Sequence, residues 1–134
     1  MKPPIFADTF YFIALINDQD RAHETARALS GNLESSLTTT EWVLTEVADA
    51  FAATRVRFQT AKLIERIYSR PDVTVVPASS SLFRRGLELY LTRPDKEWSL
   101  TDCISFVVME DEGISDALTG DKHFEQAGFN ALLK

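Results

Sequence analysis

At 134 residues the chain suits one domain, residues 1–134, and its 45% apolar residues are enough to fill a core. A net charge of −6 argues against a simple nucleic-acid binder with a basic face, and the interspersed charges argue against a disordered chain. No apolar run is long enough to span a bilayer, Asp8 breaks the stretch Ile5–Ile16 where a signal peptide would be continuous, and a lone Cys103 cannot form an intrachain disulfide, which fits a reducing cytoplasm.

Extended and helical segments alternate along the chain. Pro4–Ala7 reads as a short strand, Thr9–Ile16 as a helix and Asn17–Asp20 as a turn. Arg21–Ser30 is helical, with Gly31-Asn32 as its stop. Ser35–Thr39 reads as a second strand, and Thr38 with Glu41 has capping-box spacing for a helix over Glu41–Thr54. A helix over Phe58–Ser69 ends at Pro71, and Val73–Val76 is the clearest strand. Ser79–Leu91 is helical, and Thr92–Trp98 is a loop. Ser99 and Asp102 repeat the capping-box spacing and open a helix to Glu112, stopped by Gly113. Ile114–Leu118 reads as a strand, Lys122–Gln126 as a short helix and Phe129–Leu133 as a last strand. Short apolar strands separated by helices predict an α/β fold, a three-layer α/β/α domain around a central parallel sheet.

That topology sorts the acidic residues. Ligands in such sheets bind at the carboxyl ends of the strands. Asp8 follows the first strand and Asp121 follows the Ile114 strand, so both fall at that edge. A helix preceding a parallel strand starts there too, which brings in Asp102. The helix after strand two carries Glu46, about 9 Å along at helical rise, with a side chain that leans back toward the helix start. Glu46 borders the stripe of Val43, Leu44, Val47 and Phe51, whereas Asp49 faces away. Asp72, Glu110, Asp111 and Glu112 fall at or near the opposite edge as solvated charges, and Asp95 and Glu97 lie in a loop as a second rank.

Each carboxylate also has a plain structural reading. Asp8 and Asp121 suit helix caps, Asp102 suits the acid of the Ser99 capping box, and Glu46 suits a surface position. Separate structural roles do not require four carboxylates to converge on one edge, where they repel each other. A hard cation such as Mg²⁺ or Mn²⁺ does require it. His123 suits a partner or packing residue better than a ligand, and His23 sits in a polar helix. Arg84, Arg85, Arg93 and Lys96 are the nearby basic groups, for RNA or for an acidic protein segment, or simply as a solvated face.

The stretches "FADTFYFIAL", "TTEWVLTEVADAF", "EWSLTDCISFVVM" and "ALTGDKHFEQAGF" occur in the order found in one family. The chain resembles a PIN-domain ribonuclease, of the kind that forms the toxin half of VapBC-type toxin–antitoxin pairs. The resemblance implies four or five parallel strands, Mg²⁺ or Mn²⁺, RNA hydrolysis, a homodimer and inhibition by a small antitoxin. It carries the acidic quartet onto Asp8, Glu46, Asp102 and Asp121 as metal and catalytic residues, with Thr9 and Thr119 as supporting polar groups. The expected chemistry is metal-assisted phosphodiester hydrolysis without a protein nucleophile. Its alternative is a non-catalytic PIN-like module that only binds RNA or protein. A phosphohydrolase with an aspartyl-phosphate intermediate ranks lower, because Phe10 stands where a second aspartate belongs.

Overall fold

Three buried residues at the start of the chain form the middle of the sheet. In the computed structural model, which describes residues 2–134, β1 (Ile5–Ala7) lies between β2 (Leu37–Thr40) and β4 (Asp116–Leu118). β3 (Val73–Val76) and β5 (Asn130–Ala131) complete a parallel sheet of order β3-β2-β1-β4-β5. Phe6 pairs with Thr38 on one side and Ala117 on the other, and Phe6, Ala7, Ala117 and Leu118 are fully buried. Strands covered on both faces carry apolar runs rather than alternation.

Among the described residues seven helices flank the sheet: α1 (Thr9–Ile16), α2 (His23–Asn32), α3 (Glu41–Ala50), α4 (Arg57–Ser69), α5 (Ser80–Thr92), α6 (Leu100–Glu112) and α7 (Lys122–Gln126). The strand order steps one way from β1 to β3, then returns past β1 to β4 and β5. Right-handed crossovers then put α1–α4 on one face and α5–α7 on the other. Accordingly α1 packs on α2 and α3, α3 on α4, and α6 on α5 and α7. The order reverses between β1 and β4, and a crevice opens there at the strand carboxyl ends.

Local structure departs from expectation at several ends. The helix after strand two is capped by Thr40, whose Oγ1 accepts the Val43 N–H at 3.1 Å, not by Thr38. Thr38 is two residues too early: it pairs with Phe6 inside the sheet, and only the extended residue next to the helix reaches the N3 amide. Glu41 therefore serves elsewhere, accepting from Tyr68 Oη at 2.6 Å and from the Ala78 amide at 2.7 Å. α3 ends at Ala50 rather than Thr54, where the Thr54 hydroxyl bonds back to the Phe51 carbonyl in a turn. α2 continues through Gly31 to Asn32, whose side-chain amide donates to the Ala28 carbonyl near the helix end. β2 starts and ends later than Ser35–Thr39, while β4 and β5 are shorter than the expected segments. The Ser99 and Asp102 capping box and the left-handed Gly113 stop form as the spacing predicts.

Phe106 on α6 joins the last third of the chain, with Trp98, Phe124 and Phe129 rings centred 5.1, 4.9 and 5.7 Å away. Gly86 lets α5 approach α6 closely. A Cβ there would lie 2.3 Å from Ile104 Cγ1 and 3.3 Å from the Ile104 backbone. Ile104 is fully buried and has no room to yield. Gly86→Val should cost about 2–3 kcal/mol by overpacking. A lowered denaturant midpoint at unchanged slope is the expected readout, and an unchanged midpoint would mean that the helices can part.

Candidate metal centre

β1 delivers Asp8 to the crevice as the first residue past its end, in extended conformation ahead of α1. Its side chain makes no cap hydrogen bond, although it occupies the cap position. Instead Asp8 Oδ2 accepts from Thr119 Oγ1 at 2.8 Å, across 111 residues of chain. Burial pushes the Asp8 carboxyl up to about 7; the Thr119 hydrogen bond opposes this, the Asp102 charge adds to it, and the nearby Thr9 and Phe10 amides favour ionisation weakly.

Thr119 follows β4 and is fully buried. Its hydroxyl also accepts the Asp121 amide at 3.1 Å, so one oxygen ties together the residues after β1 and β4. Asp121 does cap α7: its Oδ1 accepts the His123 amide at 2.9 Å. Capping and membership of an acidic cluster thus coexist, because the cap uses one oxygen of two.

Asp102 sits in the first turn of α6, buried. Its Oδ2 accepts the Ser99 amide at 3.2 Å and His123 Nδ1 at 3.0 Å. Burial raises its pKa and the Asp121 charge adds to that rise, while the His123 and Ser99 hydrogen bonds and the His123 charge lower it. Ligand atoms of Asp102, Asp121 and His123 lie within 4.8 Å of one another. Glu46 reaches back from the second turn of α3, half-buried, and its Oε1 accepts from Thr9 Oγ1 at 2.6 Å. Thr9 adjoins Asp8, so the hydrogen bonds and this one peptide link run from Glu46 through Thr9, Asp8, Thr119 and Asp121 to His123 and Asp102.

Aromatic contacts set the two helices that carry this cluster. Phe106 and Phe124 pack edge to face between α6 and α7, and Trp98 Nε1 donates to Gln126 Oε1 at 3.0 Å. Two of the four acidic groups assigned to the far edge are ion-paired there: Asp72 with Arg70, and Asp111 with Arg85; Glu110 and Glu112 are exposed. Arg85 is thus committed about 13 Å along α6 from Asp102 at helical rise. Arg93 pairs with Asp95 and lies over the Trp98 ring, so neither it nor Arg85 is a free cation. His23 is a structural partner whose Nδ1 lies 2.7 Å from the Ala14 carbonyl. Burial pushes the Cys103 thiol up to about 11, which suits a core residue. His123 carries more of the geometry than its sequence position suggested. The available signal was its place two residues after the α7 cap, where its backbone and its ring both turn toward Asp121.

One pattern runs through all four carboxylates. Asp8, Glu46, Asp102 and Asp121 each have one oxygen held by a protein donor at hydrogen-bond distance, and among the described residues the other oxygen of each makes no such bond, the Thr9 and Phe10 amides acting on Asp8 only weakly. Carboxylates oriented in this way, with a free oxygen each, are the donor set that Mg²⁺ and Mn²⁺ take.

The chain is 29% identical to "23S rRNA-specific endonuclease VapC20" of two Mycobacterium tuberculosis strains, over 93% of this chain and 95% of the relative. Its fold superposes on the crystal structure of Mycobacterium tuberculosis VapC20, described as a Sarcin-Ricin loop cleaving toxin, with a TM-score of 0.84 and 30% identity over 93% of this chain and 95% of that one. The PIN domain family model matches residues 5–130. With nearly its whole length matched, and with the acidic stretches falling at the carboxyl edge of a five-stranded parallel sheet, this chain belongs to the PIN domain family.

Proposed function

We propose that the chain is a divalent-metal-dependent endoribonuclease, the toxin of a type II toxin–antitoxin pair, and that Asp8, Glu46, Asp102 and Asp121 form its active site. The observation that carries this reading is the pairing of one held and one free oxygen on each of the four carboxylates. The family and the endonuclease relatives favour it over the non-catalytic module.

Asp8 and Asp102 are the first choice for direct ligands, since they are the most buried of the four and already oppose each other's charge. Glu46 and Asp121 complete the set, directly or through water. Thr119 fixes the Asp8 carboxylate and the Asp121 backbone together, and Thr9 fixes Glu46. When bound, Mg²⁺ or Mn²⁺ supplies charge neutralisation at the phosphate and makes an attacking water more acidic. The protein's part is to hold the carboxylates in place before substrate arrives, so little reorganisation accompanies the reaction. The assigned substrate class is structured RNA; the VapC20 relatives are named as 23S rRNA-specific and Sarcin-Ricin loop cleaving. A small antitoxin protein is the assigned inhibitor, a homodimer the assigned assembly and the cytoplasm the assigned setting. No helix among the described residues is long and apolar enough to cross a membrane.

Purified protein should cut structured RNA in Mn²⁺ or Mg²⁺, stop in excess EDTA and recover when cation is restored. Equal cutting in EDTA and in cation would overturn the reading.

A further inference from the structure

His123 lies between two of the four carboxylates. Its Nδ1 is 3.0 Å from Asp102 Oδ2 and 3.5 Å from Asp121 Oδ1. Asp102 Oδ2 also takes the Ser99 amide, so it acts as an acceptor, and Nδ1 carries the hydrogen that His123 donates. The backbone of His123 is engaged as well, by Asp121 Oδ1. One residue therefore touches both carboxylates through two separate groups. Its ring is mostly buried, with a side-chain exposure of 19%.

We propose that His123 is a positioning residue that presents Asp102 and Asp121 to the cation. This rests on the metal-dependent reading above. The Nδ1–H holds one oxygen of Asp102 and leaves its partner oxygen for the cation. The same ring keeps a donor between two carboxylates that otherwise face each other as like charges. Donors that orient ligating carboxylates contribute about 10–100-fold to metal affinity. Direct ligation through Nδ1 is a different role, because that nitrogen is already spent on Asp102.

Side-chain length separates the possibilities. The amide nitrogen of asparagine stands as many bonds from Cα as Nδ1 of histidine, whereas that of glutamine stands one bond further. The experiment measures Mn²⁺ affinity, by the loss of free-ion paramagnetic signal on titration, for the wild type and for His123→Asn, His123→Ala and His123→Gln. Melting in EDTA confirms that each variant is folded. His123→Asn should bind Mn²⁺ within about threefold of wild type, and His123→Ala and His123→Gln at least about tenfold more weakly. His123→Asn as weak as His123→Ala would overturn the proposal in favour of direct ligation or ring packing. His123→Ala as tight as wild type would overturn it outright, and would leave the ribonuclease reading standing if wild type still cuts RNA only with cation. A wild type that binds no Mn²⁺ would overturn both.

Discussion

Asp8→Asn should raise the melting temperature of the cation-free protein at pH 8 and reduce the stabilisation that Mg²⁺ brings. The Asp8 carboxyl is pushed from 3.8 to about 7 by burial, the first of its causes, so the folded protein disfavours its charge. For a carboxyl raised in this way, the folded state takes up a proton that the unfolded state does not hold between pH of about 4 and 7. The resulting stability is fully present below pH 3.8 and is lost as pH rises through about 7. At pH 8 the wild type carries the whole cost, and the asparagine variant carries none of it. A shift of this size corresponds to about 4 kcal/mol. An expected gain of about 2–4 kcal/mol allows for relaxation around the site, or about 6–15 °C for a domain of this length. The difference between the two proteins should shrink as pH falls toward 4. Cation narrows the difference: wild type gains about 2.7 kcal/mol at a hundredfold excess over its dissociation constant, and the variant gains less. Four melts decide it, each protein in EDTA and in Mg²⁺. If both proteins respond to Mg²⁺ identically, Asp8 is not a ligand.

Asp102→Asn should abolish RNA cleavage while leaving the fold intact. The asparagine carbonyl still accepts the Ser99 amide, so the start of α6 keeps its capping box. What disappears is the negative charge that opposes that of Asp8 and lies within 4.8 Å of the Asp121 carboxylate. Loss of a direct cation ligand is expected to lower kcat/KM by about a thousandfold or more, equivalent to about 4 kcal/mol of transition-state stabilisation. Asp95→Asn is the matched control. Asp95 is seven residues away, exposed and paired with Arg93, and its loss should leave cleavage unchanged. Wild-type rates in Asp102→Asn would remove this residue from the active site.

The sequence alone determined the features whose causes span a few residues. The Ser99 and Asp102 capping box, the Gly113 stop and the bounds of α1, β3 and α7 were legible, because hydrogen bonds closed within one turn are written in adjacent residues. Alternating strands and helices determined the parallel α/β class, and the edge to which each carboxylate belongs followed from chain direction alone. The tertiary structure decided what depends on strand order. The order β3-β2-β1-β4-β5 makes β1 and β4 neighbours, and that places Thr119 on Asp8 across 111 residues and brings Asp121 to Asp102. The raised pKa of Asp8 is likewise tertiary, since burial is supplied by elements distant in the chain. The same holds for His123, whose donor role arises where α7 packs against α6 through Phe106 and Phe124. It holds again for the Thr40 cap, where pairing of Thr38 with Phe6 inside the sheet overrode a plausible local pattern. Contacts within a turn follow the sequence because the chain itself brings the groups together. Contacts across the sheet depend on which strands pair, and that is settled by burying all the apolar faces at once.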